Sequence, residues 1–143
     1  MDTSRLLEFV ANHWILSGAF VTLSALIILN ELRQRLYGVT QLGAHDATRL
    51  MNTDEAVILD VREDSEYKQG HIASALHIPL GQLGQRLKEL DKHRGHTLVT
   101  YCHTGGRASK AAALLRKQGF EDIRTLAGGI VAWQNANLPL TKK

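Results

Sequence analysis

The sequence predicts an α/β fold: a domain built on a central, mainly parallel sheet and preceded by one transmembrane helix. Three observations carry this expectation. A stretch without any formally charged side chain runs from Phe9 to Asn30. Two short apolar runs, AVILDV (56–61) and TLVTY (97–101), lack the strict alternation of half-exposed strands and suit strands buried on both faces. Around them, apolar residues recur at helical spacing. The expected layout is a short N-terminal tail over 1–8, the membrane helix over 9–30, a juxtamembrane connector over 31–38 and the folded domain over 39–143.

The N-terminal stretch reads FVANHWILSGAFVTLSALIILN, with Asn12, His13 and Asn30 near its ends. As a helix rising ~1.5 Å per residue it reaches about 33 Å, against a hydrocarbon core of about 30 Å. It is apolar all round, whereas a globular helix shows one apolar stripe. Trp14 is placed for a membrane interface. A cleaved leader is disfavoured, because Asp2 and Glu8 outnumber Arg5 before the run and Arg33 and Arg35 follow it directly. Those two arginines orient the span, keeping the C-terminal part in the cytoplasm. The expected location is therefore the cell inner membrane, single-pass, with the folded domain cytoplasmic.

Residues 44–51 are a helix candidate with Ala44, Ala47 and Met51 inward, and AVILDV follows as a strand. Leu80, Leu83, Leu87 and Leu90 then form a helical stripe, with Pro79 suited to its first turn. TLVTY is the next strand. Ala108, Ala111, Ala112 and Leu115 line one face of a further helix, which Gly119 is placed to stop. Residues 123–126 read as a strand and GIVAWQNA (129–136) as a last short helix. Strands alternating with helices predict a mainly parallel sheet, and in such sheets the working site lies beyond the carboxyl ends of strands.

Composition narrows the function classes. Apolar residues make up 44% and charged residues 22% of the 143-residue chain, as in globular proteins. The net charge of +3 is mild, and basic residues alternate with acidic ones, so no nucleic-acid partner is expected. A single cysteine excludes an intrachain disulfide. His45, His77, His93, His96 and His103 show no ligand spacing for zinc, so neither metal nor cofactor is expected.

That cysteine sits in TYCHTGGRAS (100–109), directly after a strand. Glycines at 105 and 106 let the backbone curl so that amide N–H groups point inward. A helix starting near Arg107 adds the positive end of its dipole, and Arg107 adds a full charge. All three favour thiolate over thiol and so lower the cysteine's pKa. A thiolate facing inward donors is a nucleophile with an anion-binding pocket around it. Most free cysteines are buried and inert, but an inert one needs no Gly-Gly-Arg cradle at a strand's end.

CHTGGRAS resembles the active-site loop of the rhodanese superfamily of sulfurtransferases. LDVRE (59–63), YKQGHIASALHIPL (67–80) and LAGGIVAWQNANLPL (126–140) resemble that family's other motifs in order, over about residues 39–140. The resemblance implies a rhodanese-like three-layer α/β domain. It implies that Cys102 attacks the outer sulfur of a small anionic donor such as thiosulfate, becoming a persulfide. The sulfur would then pass to a thiol, to cyanide or to a partner protein's cysteine. His103, Thr104, Gly105, Gly106 and Arg107 match the loop that holds the donor. Related phosphatases and arsenate reductases carry Cys-x5-Arg; here Arg107 follows after four residues, which favours sulfur transfer over phosphoryl transfer. The other alternative is an interaction module of a membrane complex, against which the intact loop speaks.

The supporting residues have blander expectations. Asp60 and Arg62 are expected to form a structural pair near the pocket, since buried charges must be paired. His71 is expected to satisfy backbone groups, and Gly70 to stop a helix. Gly128 and Gly129 are expected to turn the chain at the pocket rim, over a core Trp133. With no second thiol in the chain, the sulfur acceptor must come from outside.

Overall fold

The computed structural model describes residues 11–37, 39–53 and 55–142. The chain divides into two units, one ending at Gly38 and one spanning Val39–Lys143.

The described part of the first unit is dominated by helix α1, Trp14–Tyr37. Ile15, Leu16, Phe20, Val21, Leu23, Leu26, Ile27, Ile28 and Leu29 are each 55% exposed or more. The helix continues through residues 31–37, where a connector was expected. Among the described residues no helix is long and apolar enough to cross a membrane. The expected span over 9–30 is described only in part. Within α1 the uncharged stretch Ile15–Leu29 rises about 22 Å along the helix axis. Phe9 and Val10, which lengthen the predicted span, lie outside the described residues.

The second unit contains a five-stranded sheet. Its strands are β1 (Thr40–Leu42), β2 (Ala56–Asp60), β3 (Leu76–His77), β4 (Thr97–Tyr101) and β5 (Ile123–Leu126), in spatial order β1-β5-β4-β2-β3. Every pairing is parallel. The central pair is in register from Ala56 opposite Thr97 to Asp60 opposite Tyr101. This makes an α/β domain with a central parallel sheet. The two runs read as buried strands occupy its middle, where both faces are covered.

Helices cover both faces. On one, α4 (Leu80–Leu83), a 3-10 turn over Leu87–His93 and α5 (Gly106–Lys117) pack Leu83, Leu90, Ala108, Ala111, Ala112 and Leu115 against Leu59 and Leu98. On the other, α2 (Ala44–Asn52) and α6 (Gly129–Asn135) bring Ala47, Ile130 and Trp133 onto Ile58, Val99 and Tyr101. Successive strand residues thus feed opposite layers, as the pleat dictates. Gly119 follows α5 with φ +83, the left-handed stop expected there.

The leucine stripe from Leu80 to Leu90 is the element that departs most from expectation. Its residues point inward as read, but the backbone breaks into a one-turn α-helix and a 3-10 turn. Gly81 and Gly84 weaken a continuous helix, and Arg86 leaves helical geometry at φ −106, ψ 15. Helix α3 (Asp64–Gln69) is an addition, with no buried residue to produce an apolar stripe.

Candidate active site

Strand β4 is the middle of the sheet, and Cys102 follows it at the carboxyl edge. Its residue is 1% exposed and joins the core against α5. Burial alone would suit an inert thiol. What differs is the polar contact: the Gly105 amide donates to Cys102 Sγ at 3.1 Å. Gly105 takes φ +117 as the N-cap of α5, a conformation in which a side chain is strained, and this turns its N–H back toward the sulfur. The N-terminus of α5 adds its partial positive charge to the same point.

The loop carbonyls are pulled the other way. Cys102 O accepts from Ile130 N at 2.9 Å and His103 O from Val131 N at 3.3 Å, both in the first turn of α6. Gly129 makes this approach possible. A Cβ there would stand 2.5 Å from the carbonyl oxygens of both Cys102 and His103, and its φ is +60. Sequence reasoning assigned Gly129 to the pocket rim; the structure makes it the residue that lets α6 grip the cysteine loop. His103 and Thr104 are exposed, and a Cβ on Gly106 would meet nothing within 4 Å, so space lies open beside the loop.

Arg107 closes the loop in a bidentate ion pair, Nη1 donating to Glu66 Oε2 at 2.5 Å and Nη2 to Oε1 at 2.7 Å. Glu66 was not singled out from the sequence. The Arg107 guanidinium lowers its carboxyl from an ordinary 4.5 to about 2, more than burial raises it. The signal that could have found α3 is the spacing Glu63-x-x-Glu66. Glu66 Oε2 accepts from Glu63 N at 3.2 Å, one half of a reciprocal cap at the helix start. Tyr67 anchors the same helix, its ring stacked between His71 at 3.9 Å and His77 at 4.2 Å.

Asp60 and Arg62 lie at the end of β2, both buried. Arg62 Nη2 donates to Asp60 Oδ2 at 2.6 Å and to Gly70 O at 2.8 Å, and the guanidinium faces the Tyr101 ring at 5.5 Å. The pairing is the one expected of them. His71 contacts the backbone through Nδ1 and Tyr67 O at 3.2 Å, and its main chain pairs with Thr141. Gly70 caps α3, and Trp133 is buried, donating to Pro139 O at 3.0 Å. A cavity of about 270 Å³ opens beside the loop, walled by Arg62, Glu66, Gln69, His103, Ile130 and Gln134 among others.

Chemically, the geometry offers a sulfur receiving an amide hydrogen bond at a helix N-terminus, in a loop that ends on the Arg107–Glu66 ion pair, beside open space. That arrangement can stabilise negative charge on the sulfur and on a group approaching it. The family model described as "Rhodanese-like domain" matches residues 43–136. The uncharacterized protein YibN of Escherichia coli is 28% identical over 96% of this chain and 97% of its own. A sulfurtransferase of Allochromatium vinosum is 37% identical over 64% of this chain and 84% of its own. A crystal structure of a rhodanese-related protein from Thermoplasma volcanium superposes with a TM-score of 0.66 at 29% identity, covering 73% of this chain and 99% of that one.

Proposed function

The chain belongs to the rhodanese-like domain family, and from that premise we propose that it is a membrane-anchored sulfurtransferase carrying sulfane sulfur on Cys102. In the first step the Cys102 thiolate attacks the outer sulfur of thiosulfate. The donor's S–S bond breaks, its electron pair leaves with sulfite, and a cysteine persulfide anion remains. In the second step an acceptor, either cyanide or a thiolate from a small molecule or a partner protein, attacks the terminal sulfur and releases Cys102. Charge and sulfur balance in both steps, and no redox partner is consumed. The observation that carries this reading is the Gly105 amide on Cys102 Sγ at 3.1 Å, in a loop closed by Arg107. The same donor that meets the resting sulfur is positioned for the charge that builds during transfer.

The anchor is residues 9–30. The absence of charge over that stretch and the exposure of every large apolar side chain described from Ile15 to Leu29 support it. Arg33 and Arg35 on its C-terminal flank favour a cytoplasmic catalytic domain at the inner membrane. An anchored domain would meet partner thiols at raised local concentration.

Mass spectrometry of the full-length chain after thiosulfate treatment tests the reaction. The expected result is a one-sulfur adduct on Cys102 that cyanide removes and that Cys102→Ser lacks. No adduct with any sulfane donor would favour an interaction module instead, and turnover of an aryl phosphate would indicate phosphoryl chemistry.

A further inference from the structure

Arg107 ends the loop, yet both of its Nη groups are committed to one carboxylate. Its basicity is raised first by that hydrogen bond to Glu66, against a smaller opposing effect of burial, and the charge of Cys102 contributes as well. The cation that ends the cysteine loop is therefore bonded through both Nη groups to the Glu66 carboxylate. Glu66 is not hidden behind it. Its side chain is 29% exposed and forms part of the wall of the cavity that His103 borders. Arg62, which also lines that cavity, is bonded to Asp60. A donor entering beside the loop thus meets a guanidinium already offset by a fixed carboxylate. The repulsion from that carboxylate grows in proportion to the donor's own charge.

Resting on the sulfur-transfer reading, we propose that Glu66 sets the charge preference of the donor site. By pairing with Arg107 it disfavours dianionic sulfane-sulfur donors relative to monoanionic ones, of the thiosulfonate (R–SO2–S⁻) or hydropersulfide (R–S–S⁻) class. The chemistry at Cys102 is unchanged: the terminal sulfur is transferred and a sulfinate or thiolate leaves with the electron pair of the broken S–S bond.

The experiment compares sulfur transfer to cyanide by the full-length chain from thiosulfate, a dianion, and from an aryl thiosulfonate, a monoanion. In Glu66→Gln, kcat/KM is expected to rise about tenfold for thiosulfate and about threefold for the thiosulfonate, since one charge is removed opposite two charges or one. The gain is expected in KM, with kcat little changed. Glu66→Met, a second neutral variant, should shift the donor ratio the same way, and Glu66→Asp, which keeps the charge, should retain the wild-type ratio. Circular dichroism and thermal melting check that each variant is folded. Equal changes for both donors, or a fall for both, overturn the inference and leave Glu66 a structural partner of Arg107. The wild-type persulfide adduct separates this from the underlying reading: an adduct with an unmoved donor ratio sinks the inference alone, whereas no adduct sinks both.

Discussion

At the scale of single residues, two glycines of the site are required for different reasons, and the difference is measurable. Gly129 is required by packing: a methyl group there collides with the carbonyls of Cys102 and His103, and the backbone is already left-handed. Gly129→Ala is expected to lower stability by about 1–3 kcal/mol and to displace the loop, so activity falls together with the denaturation midpoint. Gly106 has neither constraint, for a methyl group there meets open space. Gly106→Ala should leave stability unchanged or raise it by up to about 1 kcal/mol while reducing sulfur transfer, because the space it enters is the donor's approach. Parallel loss of stability and activity in both variants would contradict this assignment. The sequence placed both residues near the pocket, but their separate roles depend on which backbone faces each, and that is a distance across the fold.

Among elements, the end of β2 and helix α3 support the loop by electrostatics. Asp60 is fully buried and Arg62 nearly so, and the pair also ties down the Gly70 carbonyl. Asp60→Asn leaves a buried guanidinium without its counter-charge and should cost about 3–5 kcal/mol, read by chemical denaturation. Helix α3 makes the site acid-sensitive. The Glu66 carboxyl is held at about 2 by Arg107, below its ordinary 4.5, so its pairing contributes stability in full above about pH 4.5. That contribution is lost as pH falls from about 4.5 to about 2. Asp122, hydrogen-bonded by Arg124 and by Thr97, is lowered too and adds loss of the same sign. Denaturation midpoints should therefore fall in this window, and less steeply in Glu66→Gln; equal slopes would show that the Arg107 pair contributes nothing. Helix α3 escaped sequence reading because its stabilisation is polar and local, with no apolar periodicity. The leucine stripe misled in the opposite sense, for inward spacing survives a break from α to 3-10 geometry.

For the whole molecule, the division at Gly38 separates an apolar helix from a domain with its own two-layered core. A chain beginning at Val39 is expected to unfold in one transition at the domain's midpoint in the full chain, and, on the proposed anchoring, to be absent from the membrane fraction in which the full chain is expected to sediment. Persistence in that fraction would place the anchor elsewhere. From the sequence by itself came the alternation of strands and helices, the burial of 56–61 and 97–101, and the glycine-bearing loop from Cys102 to Arg107. These are short-range properties, written in periodicity and in residues only a few positions apart. The tertiary structure alone decided that Glu66 binds Arg107 forty-one positions away, and that α6 holds the carbonyls of Cys102 and His103. Strand order brings those groups together, and no local pattern encodes it, because a hydrogen bond across the sheet's edge depends on where the whole chain has already been placed.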